Sequence, residues 1–114
     1  MTHQMKLDPQ PFDMIASGQK TIELRLNDEK RQRIAIGDRI VFSKTSDPEA
    51  QLNTQVIGLH RFSDFSQLYK TLPLDKCGYL PEELPTASPQ DMEAYYSEEV
   101  QAQHGVLGIE IALL

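Results

Sequence analysis

The sequence predicts an α+β fold whose sheet is mixed or mainly antiparallel and curls into a barrel or half-barrel. Three observations predict it. Five or six short segments read as strands, and those in the middle follow one another locally. About three helix signals lie around them. The chain has only 114 residues, and so many short strands in so small a chain usually close on themselves.

Gln4 to Leu7 is a brief first strand. Asp8 is a plausible N-cap with Pro9 at the first helical position. Phe12, Ile15 and Ala16 then share a helical face, and Gly18 ends the helix. Gln19 to Leu26 reads as a strand. Its alternation puts Thr21, Glu23 and Arg25 on one face and Ile22, Leu24 and Leu26 on the other. Asn27 to Arg33 has the composition of an exposed loop. After the Gly37-Asp38 turn, Arg39 to Lys44 is a strand with Ile40 and Phe42 on one face.

Ser46 to Glu49 reads as a turn and Gln51 to Phe62 as a longer strand. Ser63 or Asp64 can cap a short helix that buries Phe65, Leu68 and Tyr69. Pro73 to Pro85 is irregular. Ser88-Pro89-Gln90-Asp91 is a strong helix start, predicting one helix to about Gln103 with Met92, Tyr95, Tyr96 and Val100 on its apolar face. Val106 to Leu113 closes the chain as a strand. No repeat or linker divides it, so residues 1–114 are expected to form one domain.

With 39% hydrophobic and 25% charged residues, the composition excludes a mainly disordered chain. No apolar run is long enough to span a bilayer as a helix. The N-terminus lacks a signal-peptide pattern and Cys77 is the only cysteine, so a cytoplasmic location is expected. His3, His60 and His104 stand apart from Cys77 and from one another, so no metal or cofactor is expected.

The net charge of −6 is unevenly spread. Residues 1–44 carry eight basic and six acidic side chains, and residues 45–114 carry three and eleven. The front half is therefore compatible with an anionic ligand. The acidic half, with Glu82, Glu83, Glu98 and Glu99, offers a surface for a protein partner instead.

Lys20, Thr21, Glu23 and Arg25 place an amine, a hydroxyl, a carboxylate and a guanidinium within one short segment. Arg can fork onto phosphate, Glu can accept from an amino group or act as a base, and Lys can orient a nucleophile. The alternative is a solvated strand face with paired charges. Arg25, Lys30, Arg31, Arg33 and Arg39 could form a phosphate track or a solvated loop. Tyr95 and Tyr96 diverge by roughly 100° on a helix, so one can be core and the other can stack on a base.

These residues lie within a pattern that resembles the ASCH domain family of the PUA-like superfamily, in particular its small bacterial members. The resemblance runs from Met5-Lys6-Leu7 through Gly18-x-Lys20-Thr21-Ile22-Glu23-x-Arg25-Leu26 to Ile36-Gly37-Asp38-x-Ile40-x-Phe42. It resumes at Asp91-Met92, Tyr95-Tyr96-Ser97 and His104-Gly105-Val106-Leu107-Gly108-Ile109. It implies a PUA-like barrel with helices around a cleft, and binding of RNA, a nucleotide or a modified nucleoside. The implied cleft is lined by Lys20, Glu23, Arg25, Arg31 and Arg33. Some members resemble hydrolases, including a lysine-dependent ribonuclease and an amidohydrolase acting on N4-acetylcytidine. Lys20 matches the amidohydrolase lysine, while Glu23 stands where that branch has threonine and Thr21 is next to Lys20.

Overall fold

The structure is a computed structural model describing residues 1–114. Its elements are β1 (Thr2–Leu7), α1 (Pro9–Ala16), β2 (Ile22–Leu26), α2 (Glu29–Gln32), β3 (Arg39–Lys44), β4 (Asp47–Phe62), α3 (Phe65–Thr71), α4 (Glu98–His104) and β5 (Val106–Leu113). Three 3-10 segments, Leu74–Lys76, Pro81–Thr86 and Pro89–Ala94, lie between α3 and α4. The strands form one mixed sheet in the order β1-β3-β4-β5-β2. β1 runs parallel to β3, and every other pairing is antiparallel. This is a PUA-like half-barrel with peripheral helices. No helix is long and apolar enough to cross a membrane.

The expected strands are all present, with shifted ends. β1 begins at Thr2, and β2 begins only at Ile22. The expected turn at Ser46–Glu49 tightens to Thr45-Ser46, so that β4 already includes Pro48 at its outer end. Asn27–Arg33 is not all loop. The Asp28 carboxylate accepts from the Arg31 N–H at 3.0 Å and nucleates the one-turn helix α2.

The late helix expected over 88–103 is interrupted. Ser88 and Asp91 form the anticipated capping box, but on a 3-10 segment that ends at Ala94. Ser97 then caps a second helix by accepting from the Val100 N–H at 3.3 Å. Two start signals nine residues apart cannot both lie inside one helix, and the second wins from Ser97 onward. The break puts Tyr95 in solvent, 71% exposed, instead of on the apolar face with Met92 and Tyr96.

Two apolar clusters hold the fold. One gathers Met5, Leu7, Phe12, Ile15, Ile40, Phe42, Val56, Leu107, Ile109 and neighbours between the sheet and α1. On α1 the buried residues are Phe12, Met14 and Ile15, while Ala16, expected to be buried, is exposed. The second cluster packs Ile22, Leu24 and Leu26 against Phe65, Leu68, Cys77 and Val106. β2 is therefore covered on both faces, because Glu23 and Arg25 share their face with register partners Ile109 and Leu107 of the first cluster.

Gly105 ends α4 at φ 72°, where a Cβ would lie 2.9 Å from the Phe62 carbonyl oxygen. Gly105→Ala combines a disfavoured backbone angle with a clash against main chain. It is expected to lower unfolding stability by about 1–3 kcal/mol in urea titration.

Candidate functional site

A cleft of about 710 Å³ opens where the sheet fails to close, between edge strands β1 and β2. Its floor is built by β2 and the residues just before it. The Gly18 turn ends α1 and delivers Lys20, whose N–H donates to the Met14 carbonyl at 3.0 Å. The Lys20 side chain is only 8% exposed, and its Nζ lies 2.7 Å from Glu23 Oε1. Arg25 meets the other carboxylate oxygen, with Nε at 2.9 Å and Nη2 at 2.8 Å from Oε2. The same Nη2 donates to the Lys6 carbonyl at 3.0 Å, so Arg25 spans the gap between the two edge strands.

Glu23 is 4% exposed. Its burial pushes the carboxyl pKa upward, but the Lys20 and Arg25 charges and their hydrogen bonds outweigh that and hold it below the ordinary 4.5. Glu23 is thus a carboxylate at neutral pH, and with two basic side chains against one acidic one the floor carries a net single positive charge. Arg25 Nη1 and the remaining Lys20 protons are not consumed by Glu23 and remain as donors for a ligand.

The opposite wall comes from the irregular segment after α3. Tyr79 donates its hydroxyl proton to Asp91 Oδ2 at 2.7 Å, so it accepts from the Tyr69 hydroxyl, also at 2.7 Å. Asp91 Oδ2 accepts the Ser88 N–H as well, at 3.1 Å. This relay ties α3 to the 3-10 segment over the cleft. Gly78, at φ 110°, lies against the Lys20 chain; a Cβ there would sit 3.3 Å from its Cδ. Tyr96 lines the cleft with its ring stacked on Phe65, centroids 6.4 Å apart. Burial pushes its hydroxyl pKa upward, with the Arg25 charge opposing. Exposed Tyr95 stands at the rim.

The structure therefore brings Lys20, Glu23, Arg25, Tyr95 and Tyr96 to one cleft. The other expected residues lie elsewhere. Thr21 is fixed through its backbone, donating to the Lys76 carbonyl at 2.9 Å, and does not line the cleft. Arg31 is paired with Asp28 at 3.1 Å. Arg33 lies exposed beside Asp28, Glu29 and His104 in a separate shallow depression. Arg39 starts β3 opposite Thr2 and Gln55. Of the five basic residues only Arg25 lines the cleft: Arg31 lies near enough to Tyr96 for its charge to act on that hydroxyl, Lys30 and Arg33 line the separate depression, and Arg39 sits on β3. Nor is the strand face solvated, since β5 and the first cluster lie beneath it.

Sequence reasoning missed the Tyr69–Tyr79–Asp91 relay and the packing role of Gly78. Nothing local marks Tyr79 as a partner of Tyr69, and a glycine inside a proline-rich stretch carries only a turn signal. Carboxylates also line the cleft: Asp8, Glu83 and Asp91. Each accepts a hydrogen bond, from Thr45, the Leu80 N–H and Tyr79 respectively. The floor is cationic while the rim is acidic.

Glu23→Ala leaves buried Lys20 and half-buried Arg25 without their anion and is expected to cost about 3–5 kcal/mol in urea titration. A carboxyl held below 4.5 in the folded chain contributes fully above pH 4.5 and loses that contribution as pH falls through its folded value. The stability advantage of the wild type over Glu23→Gln is therefore expected to be constant above pH 4.5 and to shrink below it. Burial pushes the Cys77 thiol up to about 12, with Lys20 only partly opposing. Iodoacetamide at pH 8 is expected to label Cys77 at least tenfold more slowly in the native chain than in urea, since the thiolate is the nucleophile.

Comparison with known proteins matches the fold and the chain's full length. The model of the ASCH domain family matches residues 5–114. The crystal structure of hypothetical protein PH0355 is similar over all of both chains, with 29% identity and a TM-score of 0.82. Protein PF0455 from Pyrococcus furiosus, solved by NMR, is 30% identical with a TM-score of 0.71, over 100% of this chain and 98% of that one. The ASCH crystal structure from Zymomonas mobilis shares the fold at 18% identity and a TM-score of 0.65, covering 97% of this chain and 66% of that one. No curated protein matches the sequence. With its half-barrel, its edge-strand cleft and a family match over nearly every residue, the chain belongs to the ASCH domain family.

Proposed function

We propose that this protein binds RNA or a free nucleotide by taking one nucleotide into the cleft beside β2. The observation that carries the reading is the buried Lys20–Glu23–Arg25 cluster, which presents two immobilised cations with unused donors on the cleft floor. Lys20 and Arg25 take the phosphate. Tyr95, exposed at the rim, supplies a stacking surface. The volume of about 710 Å³ suits a small ligand rather than a helix of RNA. The acidic rim points the same way, because a long polyanion would be repelled where a single nucleotide is not. The association of the ASCH family with RNA binding supports the reading.

Binding is favoured over hydrolysis by the state of Glu23. A general base needs a pKa near the working pH. Glu23 instead has both oxygens engaged by cations and is held below its ordinary value. Thr21, the neighbouring hydroxyl, does not line the cleft.

Calorimetric titration with a short single-stranded RNA tests the reading. Lys20→Met is expected to weaken binding roughly ten- to hundredfold, the loss of a hydrogen bond to a charged group. Arg39→Ala is expected to leave affinity unchanged. The salt dependence is expected to follow about one neutralised phosphate, a slope of about −0.7 in log–log form, instead of the about −3.5 of a five-residue track. Equal effects of Lys20→Met and Arg39→Ala would contradict the assignment.

A further inference from the structure

The hydrogen-bond parity of β2 leaves one pair of peptide groups facing the cleft. The Thr21 carbonyl accepts from the Ile111 N–H, and the Asn27 N–H donates to the Gly105 carbonyl, both at 3.0 Å. Both contacts continue the β2–β5 register. Bonded and non-bonded residues alternate in an antiparallel pair. Glu23 and Arg25, with the Thr21 carbonyl and the Asn27 N–H, therefore turn their backbone groups toward β5, while Ile22, Leu24 and Leu26 turn theirs to the other edge. No strand pairs with that edge.

Neighbouring segments flank both ends of the edge. Lys76 fastens its upstream end through the Thr21 N–H. Downstream, Tyr96 packs in the same apolar cluster as Leu26. Between them Leu24 lines the cleft, flanked by Glu23 and Arg25. Of the three residues that turn to this edge only Leu24 lines the cleft, with a donor and an acceptor side by side. A peptide strand needs several consecutive residues to add to a sheet edge, and only one residue of this edge lines the cleft. A flat heterocycle with an adjacent acceptor and donor needs only one. The Watson–Crick edge of each nucleobase has that arrangement, and it is accessible when the nucleotide is unpaired.

Given the nucleotide reading of the cleft, on which this step rests, we infer that the Leu24 N–H and C=O hydrogen-bond the Watson–Crick edge of the bound base. The phosphate lies on Lys20 and Arg25, the base lies along the β2 edge, and a base already paired in a duplex is rejected. Specificity for unpaired nucleotides thus comes from main chain, which no side-chain substitution in the cleft would expose.

The test is calorimetric titration of the full chain with the four nucleoside 5′-monophosphates, their Watson–Crick-methylated forms (3-methyluridine and 1-methylguanosine among them) and ribose 5-phosphate. At least one nucleotide is expected to bind tenfold or more tightly than ribose 5-phosphate. Methylation on its Watson–Crick edge is expected to return it to the ribose 5-phosphate level. Replacing the Leu24 amide by an ester, through incorporation of the α-hydroxy analogue of leucine, removes the N–H with little change of shape and no loss of a ladder bond. The ester is expected to weaken the nucleotide at least fivefold and leave ribose 5-phosphate unchanged. The inference is overturned if nucleotides bind no better than ribose 5-phosphate, if the methylated forms match their parents, or if the ester has no effect. In those cases ribose 5-phosphate binding that is lost in Lys20→Met still upholds the phosphate site. If neither ligand class binds, the cleft reading and this inference fall together.

Discussion

Glu23 has lost water on nearly every side, and Lys20 and Arg25 are what keep it ionised. The dependence runs both ways. Two cations this close would repel each other across a buried floor, and the carboxylate between them offsets that repulsion while fixing where each donor points. Lys20 is otherwise a long, flexible chain. Here Gly78 presses on its methylenes and Glu23 holds its amine. Arg25 is fixed by Glu23 and by the Lys6 carbonyl of the opposite edge strand. The cleft is therefore an opening in the half-barrel that one guanidinium bridges, and its charge is preorganised before any ligand arrives.

The same constraint connects fold to function. Because β2 is an edge strand, its side chains can reach the cleft floor while no strand pairs with its outer backbone edge. Because β5 lies on its other side with Leu107 and Ile109 buried, the floor is kept dry. The wall over the cleft is looser. Its 3-10 segments are short and largely exposed, and hydrogen bonds from Tyr79 to Asp91 and between Tyr69 and Tyr79 tie it to α3. A rigid floor under a wall held by a few hydrogen bonds suits a site that must admit a ligand and then orient it.

Much of this was legible in the sequence wherever the signal is local. The alternation of Ile22, Leu24 and Leu26 against Glu23 and Arg25 gave β2 its correct faces, and Asp8-Pro9 marked the start of α1. The short segment itself grouped Lys20 with Glu23 and Arg25, and resemblance to a known family supplied the cleft. What stayed hidden depends on distant partners. Burial of Glu23 follows from its register with Ile109, more than eighty residues along the chain. The Tyr79 hydroxyl has meaning only beside Tyr69 and Asp91. Arg31, Arg33 and Arg39 look contiguous with Arg25 in sequence, but Arg31 pairs with Asp28, Arg33 lines a separate depression and Arg39 sits on β3. The late helix was misread because two capping signals compete and pattern alone does not rank them.

The central claim is that the Glu23-held pair Lys20 and Arg25 is a phosphate site at the floor of the cleft. A crystal structure of the full chain soaked with nucleoside 5′-monophosphates tests it most directly. The account predicts the phosphate within hydrogen-bond distance of Lys20 Nζ and Arg25 Nη1, with the Glu23 ion pairs intact. A nucleotide seated instead against Arg33 and His104, or a phosphate that displaces Arg25 from Glu23, would contradict it.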